Sequence, residues 1–122
     1  MSIEKDIIIE DFKTALIWQD ENLDEYQDCE LSYSAIEKIE QTCCIFLACV
    51  SMDKQATIEA TNHDIVGHDL ALQMLGHGVG FWEQKETKTL DTILNMLLDM
   101  KAIKPFHLYY DDDDKKLDWD IV

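Results

Sequence analysis

The chain has 122 residues, 47% of them hydrophobic, which suits a single domain over 1–122 with its own core and leaves little room for two. Its 26 acids face ten lysines and no arginine, for a formal charge of −16. Direct binding to DNA or RNA is thereby excluded as an expectation and an anionic membrane disfavoured, since both need a cationic surface, whereas a partner with a basic groove is favoured.

The opening residues, MSIEKDIIIEDFK, carry acids where a secretory leader has basic residues. The longest apolar stretch is residues 43–50, far short of a membrane span. A cytoplasmic protein with reduced cysteines is expected, so Cys29, Cys43, Cys44 and Cys49 read as core thiols or metal ligands before disulfides.

Residues 6–18 place Ile8, Ile9, Phe12, Ala15 and Leu16 on one helical face. Residues 20–30 read as a solvated acidic loop. The clearest helix spans 34–52: Ser34 and Glu37 fit a capping box, and Ile36, Ile39, Cys43, Phe46, Leu47 and Val50 follow at helical spacing. It has no breaker before Ala60, and Asn62, His63 and Asp64 suggest its end. Residues 67–83 hold all four glycines, and Gly76-His77-Gly78 is a turn signal. A hairpin with arms 68–74 and 79–83 is expected, with a helix over 69–75 competing on the shared face of Leu70, Ala71 and Met74. A helix over 89–101, capped by Thr89, buries Leu90, Ile93, Leu94, Leu97 and Leu98. Pro105 precedes a strand in which Phe106, Leu108 and Tyr110 alternate with His107 and Tyr109. A charged turn at 111–116 leads to a last strand with Leu117, Trp119 and Ile121 on one side. The expected fold is α+β, with about four short antiparallel strands in two hairpins packed with three helices.

The histidine-rich segment suggests a structural zinc site. Zinc takes imidazole, thiolate and carboxylate ligands in a tetrahedron. His68 and His77 are brought close by a hairpin, with Cys43 as the first candidate to close the site, His63 as another, and Asp69 as a ligand or as a partner for a ligand's second ring nitrogen. Asp69 can equally cap the turn at 76–80. Against zinc stand the spacings: there is no CxxC, HExxH or HxxxH, and isolated Cys and His are usually packing or hydrogen-bonding residues. An enzyme is disfavoured, because there is no phosphate-cradling glycine loop, no GxSxG and no arginine clamp, and three of the cysteines sit on a helix with a core pattern.

Two acid clusters complete the inventory. Asp20, Glu21, Asp24, Glu25 and Asp28 crowd one loop, with Glu30 beside them, and Asp111, Asp112, Asp113 and Asp114 crowd another. They read either as a solvated surface or as a surface that docks on a basic partner, since carboxylates spaced like phosphates can occupy a groove built for nucleic acid. Exposed aromatics beside these acids would anchor such an interface.

The segment GHDLALQMLGHGVGFWE resembles a group of small bacteriophage proteins whose signature reads roughly GHDFxLTRxGHGxGFWD. Gly67, His68, Asp69, Leu72, Gly76, His77, Gly78, Gly80, Phe81 and Trp82 match, Glu83 replaces Asp, and the signature's Thr-Arg is Gln73-Met74. The similarity extends to Ala15-Leu16-Ile17-Trp18 and Cys43-Cys44-Ile45-Phe46. That group has no agreed activity. The resemblance implies a protein made during infection and acting in the host cytoplasm, and small acidic phage proteins often resemble inhibitors of host defence such as anti-CRISPR proteins and DNA mimics. The implied partner is a host defence nuclease with a basic nucleic-acid channel, a Cas9-type effector. The alternative is a small regulatory or structural phage protein that binds another phage protein. The resemblance also strengthens the zinc expectation at His68 and His77.

Overall fold

Two helices of this chain begin at side-chain caps, Ser32 and Asp53. The structure, a computed structural model, describes residues 3–76, 80–82 and 84–122. Helix α1 (Lys5–Trp18) buries Ile8, Phe12, Ala15, Leu16 and Ile17. The acidic segment after it is not all loop: Glu21–Tyr26 is a 3-10 turn, opened by the Asp20 carboxylate accepting from Asn22 N at 2.9 Å and pinned by buried Leu23.

Helix α2 (Tyr33–Ser51) starts one residue early, because Ser32, not Ser34, is the cap: its Oγ accepts from Ala35 N at 3.0 Å. The chain then breaks where no interruption is expected. Asp53 caps a separate helix, α3 (Lys54–Thr61), accepting from Ala56 N at 2.9 Å. Helix α4 (Val66–Leu75) occupies the first arm of the expected glycine-rich hairpin. Its buried face is Val66, Leu70, Ala71 and Met74, and Gly76, at φ +72°, ends it as a left-handed cap. The turn signal was therefore a helix stop. In the second arm, Gly80, Phe81 and Trp82 form a turn, and Val79 and Glu83 lie outside the described residues.

A short 3-10 turn (Lys85–Thr87) runs into α5 (Lys88–Asp99), which buries Leu90, Ile93, Leu94 and Leu97. Thr89 does not cap it. Buried Glu59 of α3 does so from across the fold, its Oε1 accepting from Thr89 N at 2.8 Å and Leu90 N at 3.1 Å. Strands β1 (Phe106–Asp111) and β2 (Lys116–Ile121) form the expected hairpin, antiparallel, with Leu108 opposite Trp119 and Tyr110 opposite Leu117.

The expectation of four strands in two hairpins on three helices is thus corrected. The described residues form five α-helices, two 3-10 turns and one two-stranded sheet. The physical reason is burial. A helix over 66–75 buries Val66, Leu70, Ala71 and Met74 while packing on α1, and Gly67 lets the two backbones touch, because a Cβ there would meet Ile8 O at 2.1 Å. Phe12, Phe46, Phe81 and Phe106, all fully buried, draw α1, α2, the 80–82 turn and β1 into one core. Each such ring contributes about 1.5–3 kcal/mol through removal from water.

Candidate functional site

The histidine-rich segment builds a buried polar knot around Asp69, which is 2% exposed. His63 Nε2 donates to Asp69 Oδ2 at 2.6 Å, and Gln84 Nε2 donates to the same oxygen at 2.8 Å. The same Gln84 amide reaches Gly80 O at 2.8 Å, so Asp69 steadies the turn after α4 through an intermediary. His68 Nδ1 lies 3.4 Å from the other carboxylate oxygen.

A second knot centres on Gln73, one of the positions that depart from the signature the segment resembles. Its Oε1 accepts from Phe81 N at 2.8 Å, and its Nε2 donates to Asp91 Oδ1 at 2.7 Å. Gly80, at φ +39°, passes so close to Gln73 that a Cβ there would meet Gln73 Cβ at 2.6 Å. Phe81 is thereby driven into the core, stacked on Phe46 with centroids 5.7 Å apart, and Thr87 Oγ1 donates to its carbonyl at 2.8 Å. Met74, where the signature has arginine, is buried at 3% exposure. Trp82 faces outwards at 57% exposure.

The expected zinc ligands are dispersed in role. Asp69 Oδ2 is taken by His63 and Gln84. Cys43 is fully buried on α2, and burial pushes its thiol up to about 12, against the thiolate that a metal needs. His68 lines a surface groove with Asp11, Trp18 and Ile65. His77 lies outside the described residues. Among the described residues no three His, Cys, Asp or Glu side chains form a group able to hold a metal ion.

The acid clusters, far apart in sequence, meet in space. Tyr26 and Tyr110 stack with centroids 4.0 Å apart and planes 4° from parallel, joining the 3-10 turn that carries Glu21, Asp24 and Glu25 to the strand that ends in Asp111. Beside them, segment 30–32 pairs with β2 through Leu117 N to Glu30 O at 2.9 Å and Ser32 N to Leu117 O at 2.7 Å. Ser32 Oγ also donates to Asp118 at 2.8 Å. Glu21, Asp24, Glu25, Asp28, Asp112, Asp113 and Asp114 are exposed, and Asp20 and Asp111 are half-buried. Tyr26 registers the convergence: partial burial, then Glu25 and then Asp112, push its phenol above the ordinary value. Tyr109 is raised likewise by burial and by Asp118, Asp111, Asp120 and Asp114. Among the described residues, the only lysine–carboxylate salt bridge joins Lys13 and Glu10, so the lysines of the hairpin turn do not neutralise these acids by contact.

Sequence reasoning missed Gln73 and Glu59 on helices and Gln84 in a loop, because such amides and acids look solvated until the tertiary partner is known. The tyrosine stack also had no sequence signal, since its two rings are 84 positions apart. No helix among the described residues is long and apolar enough to cross a membrane. No protein-family model, curated protein or solved structure matches the chain.

Proposed function

We propose that the chain is a phage-type inhibitor of host defence, active in the host cytoplasm by binding and not by catalysis. Its acidic face docks on the basic nucleic-acid channel of a Cas9-type effector and competes with loading of guide or target. The observation that carries this reading is the stacking of Tyr26 on Tyr110, which joins two acid-bearing segments into one face. Exposed carboxylates without lysine contacts on two adjoining segments are what a channel built for a phosphate backbone would accept in place of nucleic acid. The formal charge of −16 adds long-range attraction to any cationic channel. The similarity of the 67–83 segment to phage proteins supports the origin and the compartment.

The experiment is competition. Neutralising Asp112, Asp113 and Asp114 together to Asn leaves the turn's backbone hydrogen bonds in place, since the one side chain that turn uses is Asp111, whose Oδ1 accepts from Asp113 N at 3.0 Å. That variant, and a matching one at Asp24, Glu25 and Asp28, should each bind the empty effector about tenfold more weakly or worse. Prior loading of the channel with guide and target should block the wild-type chain. Equal binding to empty and loaded effector, or binding unaffected by either set of substitutions, would contradict the proposal.

A further inference from the structure

The end of α1 exposes an aromatic ring that the core does not use. Trp18 is 63% exposed and Ile65, beside it, is 46% exposed. With Asp11 and His68 they line a groove of about 300 Å³ between α1 and the start of α4. Gln19 closes this groove and also lines the next, of about 540 Å³, which carries Asp20 and Glu21. Two concave surfaces therefore adjoin, one aromatic with a carboxylate at its wall, the other with two carboxylates. No lysine lines either groove among the described residues.

We propose that the Trp18 groove seats an arginine side chain from a basic segment of the protein partner, with the following cationic residue lying over Asp20 and Glu21. The inference rests on the reading of the chain as a protein that docks on a cationic partner, and it names the contact. A guanidinium is planar, stacks on an indole face, and presents donors that match a carboxylate, so Trp18 and Asp11 together select arginine over lysine. The groove holds one long side chain and little more. Charge complementarity sets the occupant: an aliphatic peptide would leave Asp11 unpaired, whereas arginine satisfies ring and acid together. Tryptophan is also among the residues enriched in binding hot spots.

The test uses the whole chain and two probes, nona-arginine and nona-lysine, followed through the indole Nε1–H signals of the three tryptophans, with Trp18→Phe assigning that of Trp18. Nona-arginine should move the Trp18 signal and the amides of Asp20 and Glu21. Trp18→Ala should weaken nona-arginine about tenfold and leave nona-lysine, held by charge alone, nearly unchanged. As Trp18 is exposed, the variant should melt with the wild type, which a thermal scan checks. Equal affinity for both probes with no effect of Trp18→Ala, or shifts confined to residues 111–114, would overturn the proposal. The two readings fail separately. If the effector still binds Trp18→Ala fully but loses the acid-neutralised variants, the groove assignment falls and the function stands. If the probes behave as expected and no effector binds, the function falls and the groove stands.

Discussion

Tyr26 lies flat on Tyr110, centroids 4.0 Å apart, at the seam where the acidic 3-10 turn meets the hairpin. The stack draws like charges together, against their mutual repulsion, and the Tyr26 phenol feels the result.

Tyr26 should ionise above its ordinary value of 10.0, because partial burial and the nearby Glu25 and Asp112 all oppose a phenolate. The folded chain then holds a proton that the unfolded chain has already released. The stabilisation is present in full below about pH 10 and is lost as pH rises through the raised value. Titration followed at the tyrosinate absorbance, with Tyr26→Phe as the reference, checks this. A difference spectrum that titrates at the ordinary value would contradict it.

Gly67→Ala should be far more damaging than Gly76→Ala. A Cβ at Gly67 meets Ile8 O at 2.1 Å and Phe12 N at 2.7 Å, so α1 and α4 must separate. We expect a loss of about 3 kcal/mol or more in urea denaturation. At Gly76 the space is open and only the left-handed φ of +72° is strained, for a loss of about 1 kcal/mol.

Asp69→Ala should cost about 3 kcal/mol, since it leaves His63 Nε2 without its buried acceptor and takes from Gln84 Nε2 one of its two acceptors. The carboxylate is satisfied by protein groups, so a chelator is expected to leave the melting temperature unchanged. A fall of several degrees with chelator, restored by zinc, would mean instead that a metal site involving His77 carries part of the fold.

Cys43 should resist thiol reagents in the folded protein at pH 8. Burial removes access and pushes its thiol up to about 12. Cys29, Cys44 and Cys49 are partly exposed, so three thiols should react before denaturation and the fourth only after it. Four equivalents modified at once in the folded chain would contradict the packing described.

What could be read from the chain follows from the range of the forces involved. Helices α1, α2 and α5 announce themselves because Phe12, Phe46 and Leu94 sit within apolar stripes of helical period, and the terminal hairpin because Phe106, Leu108 and Leu117 alternate with polar residues. The glycine-rich segment misled. Gly76 serves equally in a hairpin turn and at a helix end, and only the fit of Gly67 against Ile8 decides for the helix. Asp53 was a readable cap in a stretch that otherwise continues helical. The acid clusters were plain in the sequence, but their meeting depends on Tyr26, Tyr110 and the pairing of Leu31 with Leu117, contacts between distant positions that no local pattern encodes.

The proposed function rests on binding to a cationic channel through carboxylates. Calorimetric titration of a Cas9-type effector free of nucleic acid, repeated from about 50 to 500 mM salt, tests it most directly. The affinity should fall by about tenfold or more over that range. An affinity that stays level across it, or no heat of binding at the lowest salt, would contradict the claim.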